Sequence, residues 1–167
     1  ETDSNVLTTD ILENIILNSQ YRIMRDIPID ADRLQQSGNL VIGQESINAP
    51  AGALFVRGIQ VYDSNSAITG ANTWLEKKDV TYLQEYVSST ASDKRGKPKY
   101  YSMYGGATGD TDTTSGRMFL APVPDDTYKF RVHYNKMPAT LESGNTTNYI
   151  SMNFPNGLLY CCLSETY

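Results

Sequence analysis

Few residues in this chain are of a type and spacing that could carry chemistry. His133 is the single histidine, so a catalytic triad or a histidine-based metal site has one candidate and no supporting constellation. On a strand shared with Lys129 and Arg131 it reads as a surface residue. Asp125-Asp126 supplies two carboxylates, which glycoside hydrolysis requires. Adjacent residues entering a strand point apart, however, and the flanking Pro124 makes a turn the better reading. Asp110-Thr111-Asp112 with Gly116 has the start of a calcium loop but lacks the remaining ligands and the closing Glu. Gly105-Gly106-Ala107-Thr108-Gly109 is followed by no Gly-Lys-Ser/Thr, so it reads as a hairpin tip and not a phosphate loop. Cys161 and Cys162 are the only cysteines. Disulfide geometry is hard to meet across one peptide bond, and two thiols alone hold no zinc. They read as small apolar residues on a buried helix, compatible with a reducing assembly compartment. The Asn145-Thr146-Thr147 sequon means little without a secretory signal. No catalytic, cofactor-binding or metal-binding residue is assigned, and the chain reads as a non-enzyme.

The densest basic run is Lys94-Arg95-Gly96-Lys97-Pro98-Lys99. Two readings stay open: a run facing DNA phosphates or an acidic partner, and a solvated loop. Tyr100 and Tyr101 behind it alternate as a strand would, which argues against a stacking platform for single strands. The net charge of −5 and pI of about 4.8 argue against tight wrapping of nucleic acid, which needs clustered cations. They do not exclude a surface past which DNA slides without being gripped. With 40% hydrophobic and 20% charged residues and a mean hydropathy of −0.42, the chain has a globular composition. No stretch approaches the roughly 18 to 20 apolar residues of a membrane span, and no N-terminal segment has a signal-peptide layout. Because the chain opens on Glu1 and not Met, residues ahead of it are expected.

Residues 1–9 are polar and expected to fray. Asp10 as N-cap with Glu13 three residues on makes a capping box for a helix over about 10–26. Ile11, Leu12, Ile15, Ile16 and Ile23 lie on its apolar stripe, and Pro28 follows its end. Ile11, Ile15 and Ile16 are expected in a core beside the last helix. Between about 39 and 136, short apolar runs separated by Gly, Pro, Asn and Ser predict an antiparallel sheet or sandwich. The runs are Leu40–Ile42, Ala53–Tyr62, Trp74–Glu76, Tyr100–Tyr104, Arg117–Ala121 and Tyr128–Tyr134. In the last of these, Tyr128, Phe130, Val132 and Tyr134 share one face. A short helix over about 79–87, capped by Asp79, interrupts the strands. The final helix, about 154–167, opens near Asn153 as cap with Pro155 in its first turn. Leu158, Leu159, Cys161, Cys162 and Leu163 make it apolar nearly all round, so it is expected to be buried and to run on past Tyr167. The fold class is α+β: N- and C-terminal helices packed together beside an inserted antiparallel sheet or sandwich with one short helix, as a single domain over 1–167.

Three segments in series resemble the head-to-tail adaptor (connector) family of short-tailed phages. The first is Ile23-Met24-Arg25-Asp26 and the acidic, Pro-bearing turn after it. The second is Leu75-Glu76-Lys77-Lys78-Asp79 ahead of the tyrosine-bearing helix, then Gly96-Lys97-Pro98-Lys99-Tyr100-Tyr101. The third runs from Leu120-Ala121-Pro122-Val123-Pro124-Asp125 to Tyr128, through Tyr134 and Pro138 and the Asn145–Asn148 loop, to Leu158-Leu159-Tyr160. The resemblance implies a structural virion protein assembled in the host cytoplasm and placed in the neck. It implies a ring, typically a dodecamer, that joins the portal protein to the tail nozzle or tube and extends the channel through which double-stranded DNA passes without sequence recognition. No cofactor and no membrane contact are implied.

Candidate subunit or partner contacts are Arg22, Arg25, Tyr82, Tyr86, Lys97, Lys99 and Tyr149. Tyr outnumbers Phe by 12 to 4, and tyrosine favours interfaces because one end is apolar and the other polar. The alternative is an ordinary β surface lined with tyrosine. Arg22 and Arg25 either bridge to a neighbour's acids or complement the end of their own helix. Two further functions are kept in view. A tail-associated carbohydrate-binding β module would use Trp74 and the tyrosines; a cell-wall-degrading virion component would need an acid pair that the sequence does not offer.

Overall fold

The computed structural model describes residues 8–27, 30–63, 68, 70–87, 89–105, 116–136, 139–142 and 144–166, without the side chains of Tyr86 and Val87. The expectations for residues 1–7, for Pro28, for Asp110–Asp112 and for the tip at 106–109 lie outside the described residues. In chain order the elements are α1 (Thr9–Asp26), β1 (Arg33–Asn39), β2 (Ser46–Asn48), β3 (Ala53–Tyr62), β4 (Asn72–Trp74), β5 (Glu76–Lys77), α2 (Val80–Tyr82), β6 (Tyr100–Tyr104), β7 (Arg117–Ala121), β8 (Lys129–Lys136), α3 (Tyr149–Asn153) and α4 (Pro155–Thr166). The class is α+β. The chain divides into two compact units: a helical unit, Glu1–Asp32 with Met137–Tyr167, and a sheet unit, Arg33–Lys136.

The sheet unit holds two four-stranded sheets. One has the order β1-β8-β3-β4 and is antiparallel throughout. The other has the order β2-β7-β6-β5 and is antiparallel except for the parallel pair β5–β6. Ile59, Val61, Val132 and Tyr134 from the first sheet cluster with Ile47, Tyr101, Met118 and Leu120 from the second. This is the expected result of period-two strands that each turn one face inward. The chain changes sheets at Leu75: its N–H donates to Ile59 O at 2.8 Å, and the next N–H, from Glu76, donates to Lys99 O at 2.9 Å. Leu75 itself is buried between the layers.

Several sequence expectations shift here. The β region begins at Arg33 and not at about 39. The strand Arg-Leu-Gln-Gln-Ser-Gly-Asn carries one large apolar residue and is formed by pairing along β8, from Arg33↔Asn135 to Asn39↔Lys129. An edge strand needs no buried stripe of its own. Leu40-Val41-Ile42 is not a strand: Leu40 is fully buried, while Val41 and Ile42 are exposed in a turn. Tyr128 precedes β8, yet it and the half-buried Phe130 pack against the same core as Val132 and Tyr134, so the four residues share one inward face as expected. Asp79 does cap α2, accepting from Thr81 N–H at 2.9 Å. The helix keeps α geometry for three residues only and continues as a wider π-type turn over Leu83–Val87.

In the helical unit, α1 is capped by Thr8, whose side chain accepts from Ile11 N–H, so Asp10 lies inside the first turn instead of capping it. An acid there still complements the helix dipole. A helix not expected from the sequence, α3, precedes α4. Asn148 caps it in a reciprocal box with Ser151, while Asn153 donates to Tyr149 O at 2.9 Å and caps nothing. Pro155 occupies the first position of α4, where its missing N–H costs nothing. The same Asn148 donates to Gln20 Oε1 of α1 at 2.7 Å, and Gln20 is buried. Asn148→Ala therefore removes a cap and strands a buried acceptor. The expected loss is about 2–3 kcal/mol of stability, read as a lower urea midpoint at unchanged slope.

The expectation of a buried last helix is corrected. Only Leu158 of α4 is buried, and Leu159, Tyr160 and Leu163 are 56%, 71% and 45% exposed. Cys161 and Cys162 are half-buried, and Cys161 Sγ lies 3.8 Å from Ser19 O. A helix that is apolar all round needs neighbours on every side; within its unit the described elements that α4 packs on most are α1 and α3. Ile15 and Ile16 are half-buried as core candidates, whereas Ile11 remains exposed.

Candidate functional site

The under-covered α4 leaves two apolar furrows in the helical unit. The first, about 770 Å³, is lined by Leu12, Ile15 and Ile16 of α1 and by Leu158, Leu159 and Leu163 of α4, among others. The second, about 490 Å³, is lined by Ile23, Ile27, Ile150, Phe154 and again Leu158. Leu158 is thus the wall between them. Neither furrow is lined by a charged side chain. The helical unit around them has two Arg against nine Asp and Glu, a net −7, whereas the sheet unit has twelve Lys and Arg against ten acids, a net +2. Apolar furrows on an acidic body can accept apolar side chains from a partner. The polar side chains in the first furrow are those of Ser151, Cys162 and Thr166, with no charged group beside them in the lining. Among the described residues no cluster of three or more His, Cys, Asp or Glu could hold a metal ion.

The residues singled out from the sequence fall in different places. Arg22 pairs with Glu165 of its own helical unit at 2.6 Å, and that hydrogen bond raises the guanidinium pKa. Arg25 pairs with Asp26 at 3.1 Å. Tyr149 lines the second furrow with its ring 6.2 Å from Phe154. In the sheet unit, Tyr82 meets Tyr100 edge-on at 6.0 Å, with Lys78 Nζ 5.8 Å and 5.9 Å from the two rings. Lys97 pairs with Asp63 and donates to Thr73 Oγ1 at 3.0 Å. Lys99 has an exposed side chain on a backbone held between Ala121 O and Glu76 N–H. Tyr86 is described only in its backbone, within the π-type turn. Among the candidates whose side chains are described, Tyr149 lines one of these furrows. The residues missed are Leu159, Leu163, Phe154 and Ile27, which are exposed and furrow-lining. The signal that could have found them is an all-round apolar helix with too few elements to cover it.

A second feature lies on the outer face of the first sheet. Trp74 is 54% exposed and packs against the His133 ring, with centroids 4.9 Å apart and planes tilted by 40°. It lies so close over Gly58 that a Cβ there would sit 2.9 Å from its Cζ3. Gln60 Oε1 is 3.0 Å from His133 Nε2 and accepts from Tyr62 OH at 3.3 Å. Gly58→Val is expected to lift the indole from the sheet at a cost of about 1–3 kcal/mol; the emission of the single tryptophan checks it directly. His133 is half-buried and not a free surface residue. Burial first, then Arg131 and Arg33, lower its pKa from the ordinary 6.5. The fold thus favours the neutral ring, and proton uptake opposes folding. Its contribution holds above 6.5 and is lost as pH falls from there toward the lowered folded value. Urea midpoints at successive pH values should fall less steeply in His133→Gln than in the parent chain.

The paired acids beside β8 are taken up by a turn. Tyr128 OH donates to Asp125 at 2.7 Å, and Thr127 N–H donates to Asp126 at 2.7 Å. Burial and the Asp125 bond push the Tyr128 phenol up to about 12. No described helix is long and apolar enough to cross a membrane. The profile of the SU10 adaptor protein family matches residues 2–167. No curated protein matches the chain.

Proposed function

From a chain that belongs to the SU10 adaptor protein family, a family of phage adaptors, we propose a ring-forming neck protein that joins the portal to the tail and extends the DNA channel. An adaptor family is structural, and its members are virion components. The proposal adds the position and the partners: further copies of the chain, typically twelve, portal protein on one side, tail nozzle or tube on the other, and double-stranded DNA passing without sequence recognition. In this reading 1–167 acts as one adaptor domain, with no cofactor and no catalysis.

The observation that carries it is the uncovered α4. Leucines 56% and 45% exposed beside two apolar furrows leave apolar surface for a partner to cover. The acidic helical unit suits a wall that passes DNA without gripping it. Native mass spectrometry of the chain mixed with the phage's own portal protein tests this. A complex with several copies of the chain per portal ring is expected; a chain that stays monomeric and apart from portal would overturn it.

One observation favours a second reading, a tail-associated carbohydrate-binding module. The exposed Trp74, backed by Gly58 and flanked by Gln60 and His133, is a flat aromatic surface with polar neighbours. Glycan-array binding that disappears in Trp74→Ala would support that reading, and an array without signal would remove it.

A further inference from the structure

We propose that the furrow between α1 and α4 is filled by the Val41–Ile42 tip of a second copy of the chain. This rests on the ring reading and deepens it by naming the two surfaces that meet.

The tip is built as a fixed knob. At its base Leu40 is fully buried, and its N–H donates to Tyr128 O at 2.7 Å. Val41 and Ile42 then project, 59% and 51% exposed. Gly43 reverses the chain at φ +77°, a conformation open to glycine at no steric cost, and its N–H donates to Pro124 O at 2.9 Å. Gln44 closes the turn from both ends. Its Oε1 accepts from Val41 N–H at 3.0 Å, its backbone N–H donates to Val41 O at 3.0 Å, and its Nε2 donates to Ser46 O at 3.0 Å. A turn left in water ordinarily carries polar residues. This one holds two β-branched apolar side chains outward on a braced backbone, so little freedom is lost when they dock.

Charge selects the occupant. The Arg95 guanidinium lies against Gly43, where an added Cβ would be 3.2 Å from its Cζ, and Lys94 precedes it in the chain. The knob therefore has a cation at its base. The furrow lining is uncharged, but Leu12 and Leu141 within it are followed by the exposed acids Glu13 and Glu142. Furrow against furrow would bring together two bodies of net −7, whereas tip against furrow brings a net +2 unit to a net −7 one. A contact between unlike surfaces is heterologous. It repeats from copy to copy and closes into a ring when its rotation allows.

The test uses the full chain with portal protein present. Ile42→Asp lies in an exposed turn and is expected to leave circular dichroism unchanged while weakening assembly about tenfold or more. Arg95→Glu should weaken it too, and adding Glu13→Lys should recover part of the loss. In a Cys161→Ser, Cys162→Ser background, copies with Ile42→Cys and copies with Leu159→Cys should form a disulfide when mixed; Tyr104→Cys in place of Ile42→Cys should not. If the parent chain forms rings while Ile42→Asp assembles equally well and no cross-link appears, the tip contact is wrong and the ring reading survives. The tip contact is equally overturned if Leu159→Cys cross-links to portal. If the parent chain never assembles, the ring reading fails and takes this contact with it.

Discussion

The chain carrying Leu159→Lys and Leu163→Lys together is expected to fold normally and to lose assembly by about a hundredfold or more. Both side chains are exposed in the single chain, at 56% and 45%, so the fold gives up little when they change. Two lysines also lower the net −7 of the helical unit, which eases its own repulsion. In the assembly the same positions would be covered. Covering the exposed half of each leucine is then worth roughly 0.7–1.5 kcal/mol, burying a lysine charge in its place adds a further cost, and about 1.4 kcal/mol is a tenfold change in binding. Fold retention is checked by circular dichroism and the urea midpoint, and assembly by native mass spectrometry with portal protein. Equal assembly of the variant would mean that the α4 face is not where partners bind.

The largest expected effect on stability lies in the sheet unit. Leu120→Ala is expected to cost about 3–4 kcal/mol, because Leu120 is 1% exposed in the shared core of the two sheets and a tight sandwich cannot collapse around the void. That is a large share of the roughly 5–15 kcal/mol that holds a domain together. Urea unfolding should show a lower midpoint with the same slope. A loss under about 1 kcal/mol would mean that the two inner faces are less closely packed than their shared burial indicates.

Much of this fold was legible in the sequence because its signals are local. β3, β6, β7 and β8 stand where apolar runs are bounded by turn residues, and Asp79 and Pro155 occupy the helix-start positions their chemistry favours. What escaped depends on partners distant in sequence. The polar β1 is a strand because β8 offers it a ladder. Asn148 caps α3 and also reaches Gln20 of α1, 128 residues away, a contact no window along the chain contains. The candidate site escaped for a related reason. An apolar α4 signals burial but does not say by what, and the one-chain answer leaves Leu159, Tyr160 and Leu163 in the open. The same ambiguity applied to Leu40–Ile42: the run was visible, but only the fold separates a core residue from two that project.

On the proposed reading, this adaptor works in the phage neck with its α4 face covered by neighbours. Electron microscopy of the intact neck, carried to a resolution that shows helices, decides the matter. Repeated copies of this fold are expected in a closed ring between portal and tail, with density packed into the furrows beside Leu158. Copies located in a tail fibre, or a neck ring in which the α4 face looks out into solvent, would be incompatible with it.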